Sequence, residues 1–237
     1  MNIKDQQRFF DQKNHRFNDA KLLDPPYAQL LELLALEQSL KLKPASTIID
    51  FGAGNGRVSL YFLKKGFNVI AVDISKHSLQ TLQTIYNEHK RQSWGTLQTR
   101  TSLPPTRVDA IVGADILHHL AIRQLLPKII KALKPTGRVV FSEPNAWHIL
   151  WYIHYFFSKI PWHIERGILQ CTYFNLKNAF QRSGLSRITL VGHGLLPTTP
   201  LSRFRSINAW NVRAGNYWPF KLFAFRYIVS GTNQSNF

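Results

Sequence analysis

The sequence is short of cysteine and of long apolar runs, and each shortage excludes a class of protein. A single cysteine, Cys171, excludes an internal disulfide framework, and no matched base stands beside it, which favours a packed thiol over a nucleophile. The most apolar stretch, Trp147 to Trp162, is shorter than the ~20 residues of a membrane span and is interrupted by charged and titratable residues. With no apolar leader after Met1, these features predict a cytoplasmic protein.

Acidic residues are also scarce: 13 Asp and Glu stand against 30 Lys and Arg, for a formal net charge of +17. No acidic residue follows Glu165, whereas basic residues continue from Arg166 to Arg226. This pattern predicts a cationic C-terminal third, which favours nucleic acid, phospholipid headgroups or an acidic small molecule as partner. Solubility alone remains an alternative explanation of the charge.

A glycine-rich turn is the most informative motif of the chain. Ser46 to Phe51 is typical of a buried strand, the next residues read Gly-Ala-Gly-Asn-Gly from Gly52 to Gly56, and Arg57 to Lys65 is typical of a helix. Glycine permits positive φ and a close approach of the backbone to a ligand, and the start of the helix offers unpaired N–H groups. The motif therefore predicts a cofactor site.

A second strand, Val69 to Asp73, ends in a carboxylate that we expect at the same crevice, where it can accept the two hydroxyls of a ribose. A dinucleotide site is disfavoured because its third glycine stands one position later, where this chain has Arg57. The run Asp50-x-Gly52-x-Gly54-x-Gly56 with Val72-Asp73-Ile74-Ser75, together with the later segments 109–120 and 133–144, resembles the class I S-adenosylmethionine-dependent methyltransferases of the small-molecule, type 11-like kind.

That resemblance implies the fold and the enzyme class. The expected fold is α/β, an open doubly wound seven-stranded sheet of Rossmann-like type, mostly parallel, in the order 3-2-1-4-5-7-6, with an aromatic helical insert. One methyltransferase domain would cover residues 1–237, with an N-terminal arm and helix at 1–43, an aromatic cap insert at 147–174 and a basic and aromatic insert at 195–222.

The resemblance also implies S-adenosyl-L-methionine as cofactor and places its contacts. The glycines and Ala53 would approach the methionine moiety, Asp50 would brace the turn, Asp73 would take the ribose hydroxyls and Ile74 would pack on adenine. Many members carry an acid after the third strand for the adenine amino group, and here Thr101 or Ser102 would replace it. The expected cofactor residues are Asp50, Gly52, Ala53, Gly54, Gly56, Asp73, Ile74, Ser102, Ala114 and Asp115.

Candidates for a general base are His118, His119 and Glu143, which we expect at the C-terminal edge of central strands, where open α/β sheets place their sites. A role in shaping the pocket is the alternative for each of them. The histidines of the aromatic insert lack ligand spacing, so no metal site is predicted.

The stretch from Trp147 to Trp162 could be a lid over an apolar substrate, an interfacial helix, a subunit contact or a buried helix. Its residues Trp147, Trp151 and Tyr155 are the predicted substrate contacts. The interleaved basic and aromatic residues of 195–222 suit either single-stranded nucleic acid or an anionic lipid surface.

Asp24-Pro25-Pro26-Tyr27 matches four letters of the amino-methylating DNA enzymes, but nothing before it is typical of a strand. We therefore predict that Asp24 caps a helix whose apolar face carries Tyr27, Leu30, Leu31 and Leu34. The sequence as a whole predicts methyl transfer to a small apolar or amphipathic acceptor, for which a membrane surface is a candidate location. An RNA methyltransferase and a non-catalytic binding protein with the same fold are the alternatives.

Overall fold

A computed structural model describes residues 19–158 and 161–234 of the chain. Most of the predicted N-terminal arm, with its aromatic residues Phe9, Phe10 and Phe17, lies outside the described residues. Within them the chain forms one seven-stranded sheet with helices on both faces. The helices are α1 Asp19–Leu23, α2 Tyr27–Leu40, α3 Arg57–Lys64, α4 Lys76–His89, α5 Ile122–Ile130, α6 Ile149–Phe157, α7 Trp162–Glu165, α8 Tyr173–Arg182 and α9 Arg205–Ala214.

The strand order is β3-β2-β1-β4-β5-β7-β6, as the sequence predicted. Neighbouring strands are parallel except where β7 lies antiparallel between β5 and β6. The class I methyltransferase topology expected from the resemblance is therefore confirmed. The strands are β1 Thr47–Phe51, β2 Asn68–Val72, β3 Leu97–Arg100, β4 Val108–Ala114, β5 Leu133–Pro144, β6 Leu185–His193 and β7 Arg226–Asn233.

The core has two layers because successive residues of each strand point to opposite faces of the sheet. Ile48 packs on the face covered by α2, α3 and α4, and Ile49 packs on the face covered by α5 and α8. Both side chains are fully buried. Strands covered on both faces are nearly continuous in apolar residues, which is why the central strands could be recognised in the sequence.

One expectation about α2 is wrong. Its N-cap is Pro26, and no side chain caps it, so Asp24 is not the cap; the backbone nitrogen of Asp24 instead donates to the carbonyl of Ala20 in α1. The predicted helix itself is present from Tyr27 onwards. Its buried residues are Ala28, Glu32, Leu33, Leu36 and Leu40, whereas Tyr27, Leu30, Leu31 and Leu34 are half-buried.

Strand β5 begins at Leu133, soon after α5 ends at Ile130. The cause is a pairing at the N-terminal edge of the sheet, where Val108 of β4 lies opposite Leu133 and its nitrogen donates to the Ala132 carbonyl. Ser75 caps helix α4, because its hydroxyl accepts a hydrogen bond from the Ser78 nitrogen.

Candidate active site

The glycine-rich turn connects β1 to α3 at the C-terminal edge of the sheet, and its three glycines all have positive φ: +78° at Gly52, +51° at Gly54 and +96° at Gly56. A Cβ at Gly52 would lie 2.5 Å from Ile116, and one at Gly56 would lie 2.3 Å from Leu82. In the part of the chain that the structure describes, a Cβ at Gly54 would meet no atom within 4 Å. The two outer glycines are therefore required by packing, and Gly54 presents bare backbone to open space, as a cofactor cradle needs.

Asp73 follows β2 and binds the middle of this turn. Its Oδ2 accepts a hydrogen bond of 2.8 Å from the Gly54 nitrogen, and its Oδ1 accepts one of 2.8 Å from the Ser75 nitrogen. A carboxylate has about four acceptor positions, so these two bonds are compatible with further hydrogen bonds from ribose hydroxyls. The residue predicted for ribose binding thus also fixes the shape of the turn.

Asp50 occupies the last buried position of β1, and its side chain is 1% exposed. Its Oδ2 accepts a hydrogen bond of 2.6 Å from the Ser59 hydroxyl of α3, while Oδ1 is buried and has no hydrogen-bond partner among the described residues. Burial raises the pKa of Asp50 to about 7, against the opposing effect of the Ser59 hydrogen bond. A buried acceptor of this kind beside the glycine turn suits a ligand that carries a positive charge.

Four side chains next to this turn form a closed ion-pair ring that the sequence did not reveal. Arg57 binds Glu32 at 2.8 Å and Asp115 at 2.9 Å, and Arg226 binds Asp115 and, at 3.3 Å, Glu32. Ser142 adds hydrogen bonds to two members of the ring, because its hydroxyl donates to Glu32 at 2.5 Å and accepts from Arg226 Nε at 3.1 Å.

The ring assembles residues from α2, α3, the end of β4 and the start of β7. Although burial opposes ionisation, the guanidinium groups of Arg226 and Arg57 hold the pKa of Glu32 and of Asp115 below their ordinary values. Asp115, predicted to border the cofactor, has φ of +59° and a side chain that is 33% exposed, so it is the most accessible member of the ring.

His118 and Glu143 form a second buried polar cluster at the ends of β4 and β5. The Glu143 carboxylate accepts from the backbone nitrogens of Ile116 (3.0 Å), Leu117 (2.7 Å) and His118 (3.3 Å), and from His118 Nδ1 at 2.7 Å. His118 Nε2 lies 3.3 Å from Oε2 of Glu165, which belongs to α7. Glu143 therefore holds the loop after β4 in place, and Glu165 joins that loop to the aromatic insert (147–174).

The two neighbouring histidines differ in protonation. Against the effect of burial, hydrogen bonds with Glu143 and Glu165 raise the pKa of His118 to about 9, so its ring is an imidazolium at neutral pH. Burial, reinforced by that charge, lowers the pKa of His119 to about 3, and its Nδ1 lies 3.3 Å from the Ile164 carbonyl. A direct role of His118, His119 or Glu143 in proton transfer stays a prediction.

Comparison with known proteins decides the family. The profile of the family described as "Methyltransferase domain" matches residues 20–190, which include the glycine turn, Asp73, and both polar clusters except Arg226. The chain belongs to the class I S-adenosylmethionine-dependent methyltransferases. Its cofactor is S-adenosyl-L-methionine, and the open face of Gly54 and the partnerless Oδ1 of Asp50 fit that ligand, which carries both a sulfonium and an ammonium group.

The curated relatives share only part of their length with this methyltransferase. The ubiquinone biosynthesis O-methyltransferase of Rickettsia prowazekii is 30% identical over 101 residues, which is 41% of this chain and 40% of the relative. Uncharacterized methyltransferases of Mycobacterium bovis and Mycobacterium tuberculosis are 28% identical over 97 residues. The matched region therefore covers about 40% of the length of these relatives.

Solved structures share the fold at low sequence identity. Phosphoethanolamine N-methyltransferase 2 of Haemonchus contortus, solved with S-adenosyl-L-methionine, has a TM-score of 0.64 at 14% identity and covers 97% of this chain and 60% of that one. Geranyl diphosphate C-methyltransferase of Streptomyces coelicolor, solved with Mg²⁺, geranyl diphosphate and S-adenosyl-L-homocysteine, has a TM-score of 0.58 at 16% identity, with 98% and 97% covered.

The remaining predicted cofactor residues of the methyltransferase lie along the same edge of the sheet. Ile74 follows Asp73 and is 41% exposed, so its side chain offers an apolar surface. Ser102 is exposed in the turn after β3. This turn lies next to Asp73, because the carbonyl of Arg100, the last residue of β3, accepts a hydrogen bond from the Asp73 nitrogen. Ala53 is buried in the turn, and Ala114 is half-buried at the end of β4. Their contacts with the cofactor stay predictions.

Two of the three predicted substrate residues pack together. Trp151 of α6 stacks on Phe225 with ring centroids 4.3 Å apart, donates from Nε1 to the Phe225 carbonyl at 2.7 Å and lies 5.5 Å from the Arg226 guanidinium. Tyr155 stacks on Trp151 and is buried, and burial raises its pKa. Trp147 instead contacts the rings of Phe174 and Phe223.

Proposed function

We propose that this methyltransferase acts on a small apolar or amphipathic acceptor that it takes from the surface of an anionic membrane. One observation carries the proposal. Apart from Ile74, the large hydrophobic side chains that are exposed on the described residues all belong to the segment from Trp147 to Phe223. Soluble proteins rarely gather their exposed apolar surface in this way unless it meets a partner, a ligand or a lipid surface.

Helix α6 has the pattern of an interfacial helix. Its inner side carries Trp151 and Tyr155, and its outer side carries an apolar stripe at helical spacing. The stripe consists of Ile149, Ile153, Phe156 and Phe157, which are 65%, 44%, 80% and 76% exposed. Among the described residues, none of the helices has both the length and the apolar character to span a bilayer. A helix of this kind can lie in the interface with its apolar face among the acyl chains.

The basic insert (195–222) adds exposed aromatic rings and cations to the same part of the chain. Trp210 and Trp218 are 67% and 69% exposed, and Arg203 and Arg213 are exposed beside them. The two inserts are joined, because His148 Nε2 lies 2.9 Å from the Leu195 carbonyl. Lys and Arg near an anionic leaflet contribute about 1 kcal/mol each, and Trp and Tyr favour the headgroup level. The acid-free charge pattern therefore complements an anionic bilayer.

A groove between the loop after β4 and the aromatic insert suits an amphipathic acceptor. It has a volume of about 390 Å³, and its walls include Leu120, Trp162 and Leu169 together with the cation of Arg166. Apolar pockets with a few polar groups are the usual form of small-molecule sites. The names of similar proteins agree with this class of acceptor, since one is named for ubiquinone biosynthesis and one was solved with geranyl diphosphate.

Methyl transfer is an in-line displacement at an activated sulfonium methyl, so the protein mainly supplies position and exclusion of water. In this proposal the glycine turn, Asp50 and Asp73 hold the cofactor, and the ion-pair ring keeps Asp115 fixed beside it. The aromatic insert covers the acceptor with Trp162 and Leu169, which line the groove, and Trp151 anchors the insert by stacking on Phe225. His118 and Glu143 fix the position of the loop after β4, and this loop in turn holds the aromatic insert.

Vesicle flotation with and without phosphatidylglycerol tests the membrane part of the proposal. We expect the wild-type chain to float with anionic vesicles, and Phe156→Ser/Phe157→Ser to lower the partition coefficient at least about tenfold, since a buried Phe contributes about 1.5–3 kcal/mol. Arg203→Gln/Arg213→Gln should also weaken flotation. Lys128→Gln/Lys131→Gln removes two exposed cations outside the inserts and should have little effect.

The acceptor is tested by turnover of labelled cofactor against lipid, phenol, amine and RNA acceptors in the presence of the same vesicles. Methylation of lipid-like or phenolic acceptors supports the proposal. Three results together would favour the RNA alternative instead: the protein does not bind anionic vesicles, it copurifies with RNA, and it methylates RNA with a steep salt dependence.

A further inference from the structure

Three buried side chains come together where the aromatic insert meets the end of β4. His118, His119 and Glu165 are all buried, and one ligand atom from each lies within 4.8 Å of the others. The two histidines follow β4 directly, and Glu165 comes from α7, 46 positions beyond His119. The rings of His118 and His119 pack against each other, with centroids 4.0 Å apart. No regular spacing in the sequence connects them, which is why sequence analysis predicted no metal site.

The geometry of this cluster is close to that of a tetrahedral metal site. Zn²⁺ binds imidazole nitrogen and carboxylate oxygen at about 2.0–2.2 Å, which places neighbouring ligand atoms roughly 3.3 Å apart. His118 Nε2 and Glu165 Oε2 are already 3.3 Å apart. A ring nitrogen of His119 belongs to the same 4.8 Å cluster, so the set comprises two imidazoles and one carboxylate.

Glu143 supplies the outer partner that such a site requires. Its Oε2 lies 2.7 Å from His118 Nδ1, so it fixes the orientation of the ring and directs Nε2 towards Glu165. Metal-binding histidines almost always donate their second ring nitrogen to a carboxylate or a carbonyl in this way. The Ile164 carbonyl lies 3.3 Å from His119 Nδ1 and can orient the second ring in the same manner.

Charge favours a cation at this position as well. Glu143 and Glu165 bring two carboxylates into the interior, being 0% and 3% exposed. The nearby guanidinium groups of Arg57 and Arg226 are engaged by Glu32 and Asp115 in the ion-pair ring. The His118 imidazolium lies between them and supplies one positive charge, whereas a divalent cation that displaced its Nε2 proton would supply two and balance both carboxylates.

We propose that His118, His119 and Glu165 bind a divalent transition-metal ion, with Zn²⁺ as the best-fitting probe. Two imidazoles and a carboxylate suit Zn²⁺ and its neighbours better than Mg²⁺ or Ca²⁺, which prefer oxygen ligands alone. The ion would join the aromatic insert to the loop after β4 through three protein ligands. It would thereby fix the cover of the acceptor site to the edge of the sheet that binds the cofactor.

Isothermal titration of ZnCl₂ into the chelator-stripped, untagged full-length chain tests the proposal. We expect one site per chain, and at least tenfold weaker binding by Glu165→Gln, which keeps the size of the side chain and removes the ligand charge. His119→Gln should weaken binding similarly, and Glu143→Gln should lower the affinity about 10–100-fold as an outer partner. His163→Gln removes an exposed histidine of the same helix and should bind like the wild type.

Circular dichroism and S-adenosylhomocysteine binding are measured on each variant to identify variants that fail to fold. Zn²⁺ affinities are then compared among the folded variants alone. A visible ligand-field spectrum of the Co²⁺-loaded wild type, absent in folded Glu165→Gln, supports the same site. The absence of stoichiometric Zn²⁺ binding by the wild type overturns the proposal, as does equal binding by the wild type, Glu165→Gln and His119→Gln. Neither result would affect the assignment of the cofactor site.

Discussion

The backbone nitrogen of Gly54 donates a 2.8 Å hydrogen bond to Oδ2 of Asp73, which lies beyond the end of the neighbouring strand. This bond connects the turn that we expect at the methionine moiety to the acid that we expect at the ribose. Changes at either residue should therefore affect the whole cofactor site.

Gly54→Ala and Gly56→Ala should separate cofactor binding from folding. An added methyl group at Gly54 points into open space, so the variant should fold, with a penalty of about 1–2 kcal/mol for its positive φ, and should lose affinity for S-adenosylhomocysteine. At Gly56 the methyl group collides with Leu82, which adds about 1–3 kcal/mol of overpacking. Urea denaturation measures the free energy of unfolding, and calorimetry measures the affinity for S-adenosylhomocysteine. Equal losses of stability in Gly54→Ala and Gly56→Ala would contradict the prediction.

The ion-pair ring should make Glu32→Gln strongly destabilising. The change leaves Arg57 and Arg226 buried with an incomplete set of charges, and removal of one partner of a buried pair costs about 3–5 kcal/mol. Lys134→Met breaks the exposed pair with Asp109 and should cost about 1 kcal/mol or less. Comparable free energies of unfolding for the two variants would show that the ring contributes no more than a surface pair.

The sequence predicted the sheet and the glycine turn because both depend on local signals. The strands that carry Ile48 and Ile70 are apolar on both faces, and Gly54 and Asp73 stand at fixed places beside them. The ring and the histidine cluster depend on contacts between distant segments, such as Glu32 with Arg226, which no local pattern contains. One signal was present: Glu32 interrupts an apolar run, and a carboxylate on the buried face of a helix requires a charged partner.

The stability of the metal-free chain should fall as the pH rises from 7 to 9. His118 has an unfolded pKa near 6.5 and a folded pKa of about 9, so its contribution is complete below 6.5 and is lost as the pH rises through 9. His118→Gln, studied with a chelator present, should flatten the dependence in this window, and His163→Gln should retain it. A wild-type midpoint of denaturation that does not change between pH 7 and 9 would contradict the raised pKa.

Cofactor binding should release a proton from Asp50 near neutral pH. Its pKa of about 7 will fall when a cationic group of the ligand approaches the buried carboxylate, so S-adenosylhomocysteine should bind more tightly as the pH rises from 6 to 8. Calorimetry in buffers of different ionisation enthalpy measures the proton directly. Asp50→Asn should abolish the release, and an identical release by that variant would assign the proton to another group.

The most direct test of the account is calorimetric titration of S-adenosylmethionine and S-adenosylhomocysteine into the wild type and Asp73→Ala. The matched control is Asp109→Ala, which removes an acid that also accepts a backbone hydrogen bond but at the opposite edge of the sheet. We predict one site in the wild type, at least tenfold weaker binding in folded Asp73→Ala and unchanged binding in folded Asp109→Ala. Absence of binding by the wild type, or equal binding by all three chains, would contradict the assignment of the cofactor site.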